Sequence, residues 1–164
     1  MAKEKRGGGT PATDALTAAG IAFTVHAYEH DPRAASYGLE AAEALGLAPE
    51  QVFKTLLVDV DSVAHVAIVP VDAMVDLKSV ASAAGGRKAA MADPAAAQRI
   101  TGYVVGGISP VGQRKALRTF IDESARELDV MYVSGGKRGL DIGLAPADLL
   151  RATHGEWAPV ARTP

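Results

Sequence analysis

Phe53-Lys54-Thr55-Leu56-Leu57-Val58-Asp59-Val60 and Val63-Ala64-His65-Val66-Ala67-Ile68-Val69-Pro70 flank the dipeptide Asp61-Ser62. Two apolar, β-branched runs around a two-residue turn signal predict a hairpin of buried strands. On the N-terminal side, Thr10-Pro11 reads as an N-cap with proline at the first helical position, opening a helix that stops at Gly20. Ile21, Phe23 and Val25 alternate with small or polar residues and predict a strand to about Tyr28. His30-Asp31-Pro32 marks a turn, a second helix spans about Tyr37 to Leu45 before Gly46, and Pro49-Glu50 opens another turn.

On the C-terminal side, helices are expected from about Leu77 to Ala84 and from Pro94, behind the N-cap Asp93, to near Gly102. Tyr103 to Val105 is expected as a short strand entering Gly106-Gly107. Leu117 to Ile121, Val130 to Val133 and Leu140 to Leu144 are further strands, the last following the glycine pair Gly135-Gly136. Pro146 to Thr153 closes the helices, and Trp157 to Ala161 is expected as an edge strand. Strands alternate with helices, yet several connections are too short for a helical crossover, so the sheet is mixed and the fold is one compact α/β domain.

The 164 residues suffice for one domain with its own core, and no inter-domain linker or internal repeat interrupts them. Apolar residues reach 48% and charged residues 22%, while aromatics are only 5%, which predicts an aliphatic core. The longest apolar run, Val63 to Val71, is interrupted by His65 and Pro70 and is far too short to cross a bilayer. Met1 to Gly9 is basic and glycine-rich with no apolar segment behind it, so it reads as a disordered lead-in before a domain over residues 10–164. Cysteine is absent, which excludes disulfides, a cysteine nucleophile and thiolate metal sites. The cytoplasm is the expected compartment. The formal net charge of -2 gives no whole-molecule attraction to nucleic acid, so any RNA contact needs a local basic patch.

Three stretches carry chemistry. Lys54 interrupts an apolar strand: it is either an edge lysine reaching solvent or a cation at the lip of a pocket awaiting an anion. Thr101 to Gly112 contains Gly106-Gly107, whose backbone N–H groups can cradle a carboxylate, a phosphate or an oxyanion, or simply form a tight turn. It is not a phosphate loop, because no Gly-Lys-Ser/Thr ending is present. Val133 to Ile142 sets Ser134, Lys137, Arg138 and Asp141 around a glycine turn, where a hairpin would bring Ser134 and Asp141 together. Lys137 and Arg138 would contact RNA phosphates, with Arg114, Lys115 and Arg118 adding charge from another loop, or form a solvated hairpin tip. His26, His30, His65 and His154 lack metal-ligand spacing, no Gly-x-Ser-x-Gly elbow is present, and no cofactor site is evident.

Taken together, Tyr28-Glu29-His30-Asp31-Pro32, Val52-Phe53-Lys54-Thr55-Leu56, Gly102-Tyr103 leading to Gly106-Gly107-Ile108-Ser109-Pro110, and Tyr132-Val133-Ser134-Gly135-Gly136-Lys137-Arg138-Gly139-Leu140-Asp141 resemble the YbaK/EbsC family, its YbaK branch above all. The match runs from about Thr10 over nearly the whole chain. The resemblance implies the editing-domain fold found inserted in bacterial prolyl-tRNA synthetases, a curved mixed β-sheet with flanking helices. It implies trans-editing: removal of cysteine from mischarged tRNA(Pro), and from Cys-tRNA(Cys), without metal or cofactor. It places the catalytic lysine at Lys54, engaging the phosphate near the acceptor 3′ end, beside Gly106 and Asp141. It places Tyr28, Tyr37, Thr55, Gly107 and Ser134 on the pocket wall as substrate-binding residues. Tyr37 stands where the family pattern has phenylalanine, which keeps the ring and adds a hydroxyl.

The implied mechanism has the substrate's own thiol attack its ester carbonyl, releasing a thiolactone and free tRNA. A water-attack route on Ala-tRNA(Pro) is the rival within the class. A non-catalytic tRNA- or synthetase-binding module and a small-molecule binder are the rivals outside it. The low net charge suggests delivery of the aminoacyl-tRNA by a partner, prolyl-tRNA synthetase.

Overall fold

A computed structural model describes residues 9–163, so the lead-in expected over Met1 to Gly9 lies, but for Gly9, outside the described residues. Five helices are described: α1 Pro11–Ala18, α2 Tyr37–Leu45, α3 Leu77–Ala84, α4 Pro94–Thr101 and α5 Pro146–Thr153. The strands are β1 Thr24–Ala27, β2 Phe53–Val60, β3 Val63–Pro70, β4 Met74–Val75, β5 Ala89–Met91, β6 Thr119–Asp122, β7 Met131–Lys137, β8 Leu140–Leu144, β9 Glu156–Ala158 and β10 Ala161–Arg162.

The β2–β3 hairpin is the spine. Asp61 and Ser62 both adopt positive φ, +49° and +69°, the geometry that lets a two-residue turn follow the twist of its strands. The Asp61 carboxylate accepts the backbone N–H groups of Arg87 and Lys88 at 3.0 Å each, which brings β5 alongside β2. A five-stranded mixed sheet results, in the order β5-β2-β3-β6-β9, antiparallel up to β3 and parallel beyond it. A three-stranded antiparallel sheet, β1-β8-β7, lies beside it, and a short β10–β4 pair completes the strands.

Alternation along β2 divides the core. Val58 and Val60 pack with Ala67, Val69, Phe120 and α3 residues Val80 and Ala81 on one face. Phe53 and Leu57 pack with Ile68, Ile121, Leu16, Met131, Ile142 and Leu149 on the other, between the two larger sheets. The core is aliphatic as expected, with Phe120 its largest fully buried side chain. The helix boundaries agree with their signals: Thr10, Ser36, Asp76 and Asp93 each accept a backbone N–H of the first turn, and Gly46, Gly85 and Gly102 cap in left-handed conformation.

Three local expectations change. Residues Tyr103 to Val105 form no strand: Gly102 at φ +83° reverses the chain, Tyr103 is buried with its hydroxyl donating to Val111 O at 2.7 Å, and Gly107 N–H closes a turn on Val104 O at 2.8 Å. Gly135-Gly136 is not the hairpin turn but a bulged part of β7, and the chain turns at Arg138-Gly139. The strand expected from Ile21 is paired only over Thr24–Ala27.

Candidate active site

β2 and β7 touch as parallel neighbours at one bridge, Val52 with Tyr132, and then part. Val71 N–H bonds Val52 O, whereas Ala92 N–H bonds Leu57 O, so even-numbered residues of β2 bond to β3 and odd-numbered ones face the other edge. β5 covers that edge only over Val58–Val60. Thr55 therefore stands on an open stretch of strand edge, with Ser134 on the diverging strand. A cavity of about 380 Å³ fills the fork, within the size range of small-ligand sites.

Its lining gathers residues from every stretch singled out in the sequence: Tyr28, Tyr37, Lys54, Thr55, Gly106, Ser134 and Asp141. Most of the remaining wall is apolar, from Ala41 of α2, Leu56 and Leu57 of β2, Met91 of β5 and Ala92 after it, Pro94 and Ala97 of α4, and Ile108. Leu56 and Ile108 fall within the family strings, but the sequence reading assigned none of this wall to the site.

Ser134 and Asp141 are register partners across β7 and β8, and Asp141 also faces His26 of β1, so its strand is central. The Asp141 side chain is buried and makes no hydrogen bond or ion pair among the described residues. Burial pushes its carboxyl from 3.8 up to about 7. The pairing of Asp141 with Lys137 or Arg138 that a solvated hairpin tip would give is not formed. Burial, and then the Asp141 charge, push the Tyr28 phenol up to about 12. Ser134 Oγ accepts Gly136 N–H at 3.2 Å, holding the bulge. Thr55 Oγ1 is buried without a hydrogen-bond partner among the described residues. Lys54 is half-buried, and desolvation lowers its pKa against a smaller opposing effect of Asp72. It is the cation of the wall.

Gly106 has φ +90°, and the Tyr37 ring lies where a Cβ would go. The loop before it is clamped on both sides of Val105: its N–H donates to Gln98 Oε1 at 2.9 Å and its carbonyl accepts from Arg138 Nε at 2.9 Å. The Gly106 N–H has no hydrogen-bond partner among the described residues. Gly107 is placed differently from its expected role. It does not line the cavity; a Cβ there would meet the Lys137 and Arg138 backbone at 2.7–2.8 Å, so its smallness docks the loop on the hairpin tip.

The five expected RNA-contacting cations differ in their partners. Arg118 gives its fork to Glu156, at 2.8 and 3.2 Å, and to the carbonyls of Ala83 and Ala84 at the end of α3. Arg114 lies over the C-terminal end of α4, beside Gly102 and Arg99 O, while Pro94 and Ala97 of the same helix line the cavity. Lys115 and Lys137 are exposed and make no hydrogen bond among the described residues. Arg138 alone touches the cavity mouth, its guanidinium 5.1 Å over the Tyr37 ring.

Glu40 is a positioning residue that the sequence did not single out. It takes His30 Nδ1 at 2.8 Å and Asp31 N–H at 2.5 Å, which fastens the segment after β1 to α2 and sets His30 5.6 Å from the Tyr37 ring. His26 instead bonds Thr24 Oγ1 and His65 bonds Val63 O. The wall holds a cation, a buried carboxyl, the hydroxyls of Ser36, Thr55 and Ser134, two phenols and an unpartnered N–H, and no histidine that would activate a hydroxyl. Such a site orients and polarises a reactive ester more readily than it attacks one.

A sequence model of the aminoacyl-tRNA editing domain matches residues 31–152. The chain is 38% identical over 120 residues to EbsC of Enterococcus faecalis (strain ATCC 700802 / V583), named as a candidate Cys-tRNA(Pro)/Cys-tRNA(Cys) deacylase, with 73% of each chain covered. It is 33% identical over 98 residues, 59% of each chain, to the multifunctional Ser/Thr-tRNA deacylase ProXp-y of Escherichia coli (strain K12). Among solved structures, a candidate trans-editing enzyme for prolyl tRNA synthetase superimposes with a TM-score of 0.82 at 25% identity, over 93% of this chain and 95% of that one. A second, at 24% identity and a TM-score of 0.83, covers 93% and 99% and shares the fold. The single α/β domain with a mixed sheet and flanking helices is thereby borne out. Among the described residues no helix is long and apolar enough to cross a membrane.

Proposed function

Since the chain belongs to the aminoacyl-tRNA editing domain family, whose members deacylate mischarged tRNA, we propose that its substrate is cysteine esterified to tRNA(Pro), with Cys-tRNA(Cys) as a second substrate. The observation that carries this reading is the cavity itself: one cation and one buried carboxyl close to neutrality, in a small apolar chamber without a histidine-activated nucleophile. A cysteinyl ester brings its own nucleophile. EbsC, the relative covered over 73%, carries that substrate in its name.

In the proposed reaction the Asp141 carboxylate accepts the proton of the substrate thiol. Sulfur attacks the ester carbonyl carbon while the oxyanion is held by the Gly106 N–H, and the C–O bond to the terminal ribose then breaks. The departing ribose oxygen takes a proton from the Asp141 carboxyl, which returns the carboxylate and leaves free tRNA and a cyclic thiolactone. A base with a pKa near 7 suits a proton acceptor working at neutral pH. Holding thiol and carbonyl in attack geometry accounts for roughly 7–11 kcal/mol of barrier. Lys54 supplies the positive charge of the wall, Thr55 and Ser134 its polar contacts, and Tyr28 and Tyr37 its shape.

A second reading is supported by ProXp-y, whose name specifies Ser/Thr-tRNA. A hydroxyl-bearing side chain would also satisfy Thr55 Oγ1, and water would then be the nucleophile, as it would for alanine. Delivery by prolyl-tRNA synthetase completes the proposal, because the molecule's net charge of -2 gives little grip on a tRNA body. Initial deacylation rates on tRNA(Pro) carrying cysteine, alanine or serine, and on tRNA(Thr) carrying threonine, test the assignment. Preference for cysteine supports it, a higher rate on serine or threonine transfers it to the second reading, and no turnover overturns it.

A further inference from the structure

Arg138 is exposed beside the cavity, and its guanidinium is already oriented. Its Nε is committed to Val105 O at 2.9 Å and its plane lies 5.1 Å over the Tyr37 ring, while both Val105 and Tyr37 line the cavity. The tip that carries it is fixed from behind. The Gly107 Cα is packed against the backbone of Lys137 and Arg138, and Tyr28 N–H bonds Gly139 O at 2.9 Å. Two terminal nitrogens, Nη1 and Nη2, remain without a partner among the described residues, and no carboxylate forms an ion pair with them. A guanidinium whose orientation is already set and whose forked donors are free matches two oxygens of a phosphodiester, and little rotamer freedom is left to lose on binding.

Lys54 is set differently. It lies within the cavity wall, half-buried, where desolvation disfavours its charge. When an aminoacyl ester of the terminal ribose enters the cavity, the phosphate on the 5′ side of that ribose lies only a few bonds back toward the mouth. That is the side Arg138 occupies.

Resting on the editing reading above, we propose that Arg138, and not Lys54 as the family resemblance implies, binds the phosphodiester on the 5′ side of the terminal adenosine, through its two free Nη groups, and that Lys54 is left to the acyl end of the substrate. Tyr37 acts through Arg138 as a positioning residue: its ring holds the guanidinium plane.

The test is a binding comparison with two non-hydrolysable probes, 3′-deoxy-3′-(cysteinylamino)adenosine with and without a 5′-phosphate, titrated by calorimetry under reducing conditions. Wild type is expected to bind the phosphorylated probe about tenfold more tightly, the scale of a charge-assisted bidentate contact. Arg138→Met should bring that ratio close to one, Arg138→Lys should recover only part of it, and Lys54→Met should retain it even where both affinities fall. A ratio that survives Arg138→Met, or vanishes in Lys54→Met, overturns the assignment. Failure of the unphosphorylated probe to bind wild type would overturn the editing reading instead, which separates the two. Arg138 is exposed, and equal melting temperatures of wild type and Arg138→Met confirm that the ratio reports binding.

Discussion

The ring of Tyr37 fills the space that a side chain at position 106 would need: a Cβ on Gly106 would lie 2.7 Å from both Cδ1 and Cε1 of that ring. The backbone there is at φ +90°, a conformation other residues adopt only with strain. Gly106→Ala is therefore expected to destabilise the fold by about 1–3 kcal/mol and to push Tyr37 off the mouth. Thermal melts and deacylation rates read both effects. An alanine variant as stable and as active as wild type would show that the contact is not needed.

Asp141 gives a pH signature with a definite sign. Its folded pKa of about 7 lies above the ordinary 3.8, so the folded chain keeps a proton that the unfolded chain releases. The stability tied to that proton is fully present at acid pH, below the unfolded value, and is lost as pH rises through about 7. Asp141→Asn should flatten this slope in a series of melts and raise stability above neutrality. In kinetics, wild-type kcat/KM should climb to a plateau past pH about 7, because the carboxylate is the working form, and the asparagine variant should lose that step. An unchanged profile in the variant would remove Asp141 from proton transfer.

Thr55 Oγ1 is buried with no partner among the described residues. Replacing an unsatisfied hydroxyl by a methyl of similar shape is close to neutral or stabilising. Thr55→Val should therefore melt no lower than wild type while its KM for the cysteinyl ester rises by about tenfold, the worth of one buried contact. A variant that melts lower, with unchanged KM, would mean that the hydroxyl serves the fold and not the substrate.

Arg118 was expected to meet RNA, and its contacts assign it to the fold. It ties β6 to Glu156 and to the end of α3, and both partners are about half exposed, so the tie is worth no more than about 1 kcal/mol. Arg118→Ala should melt slightly lower and deacylate at the wild-type rate. A specific loss of KM without loss of stability would restore it to the RNA surface.

The elements with chemical punctuation were legible. Asp93-Pro94 and Gly102 bracket α4, Gly46 ends α2, and Asp61-Ser62 fixes the spine hairpin. β5 was not, because Ala89–Met91 has little strand propensity of its own; the open edge of β2 and the Asp61 carboxylate make it a strand. Tyr103 to Val105 misled because an aromatic followed by two valines reads as a strand, whereas burial of the Tyr103 ring and the reversal at Gly102 fold it into a turn. For the site, Lys54, Gly106, Asp141, Tyr28, Tyr37, Thr55, Gly107 and Ser134 came from the family resemblance, and all but Gly107 line one cavity. The apolar wall from Met91, Pro94 and Ala97 and the Glu40 clamp on His30 arise from contacts between distant segments, which local pattern does not carry.

Deacylation of Cys-tRNA(Pro) beside Ala-tRNA(Pro) by wild type and Lys54→Ala, with trapping of any thiolactone, addresses the central claim. Rapid loss of cysteine with thiolactone released by wild type, slow loss of alanine, and neither reaction in a folded Lys54→Ala variant is the predicted result. Turnover of Lys54→Ala at the wild-type rate, or cysteine released with no thiolactone trapped, would contradict it.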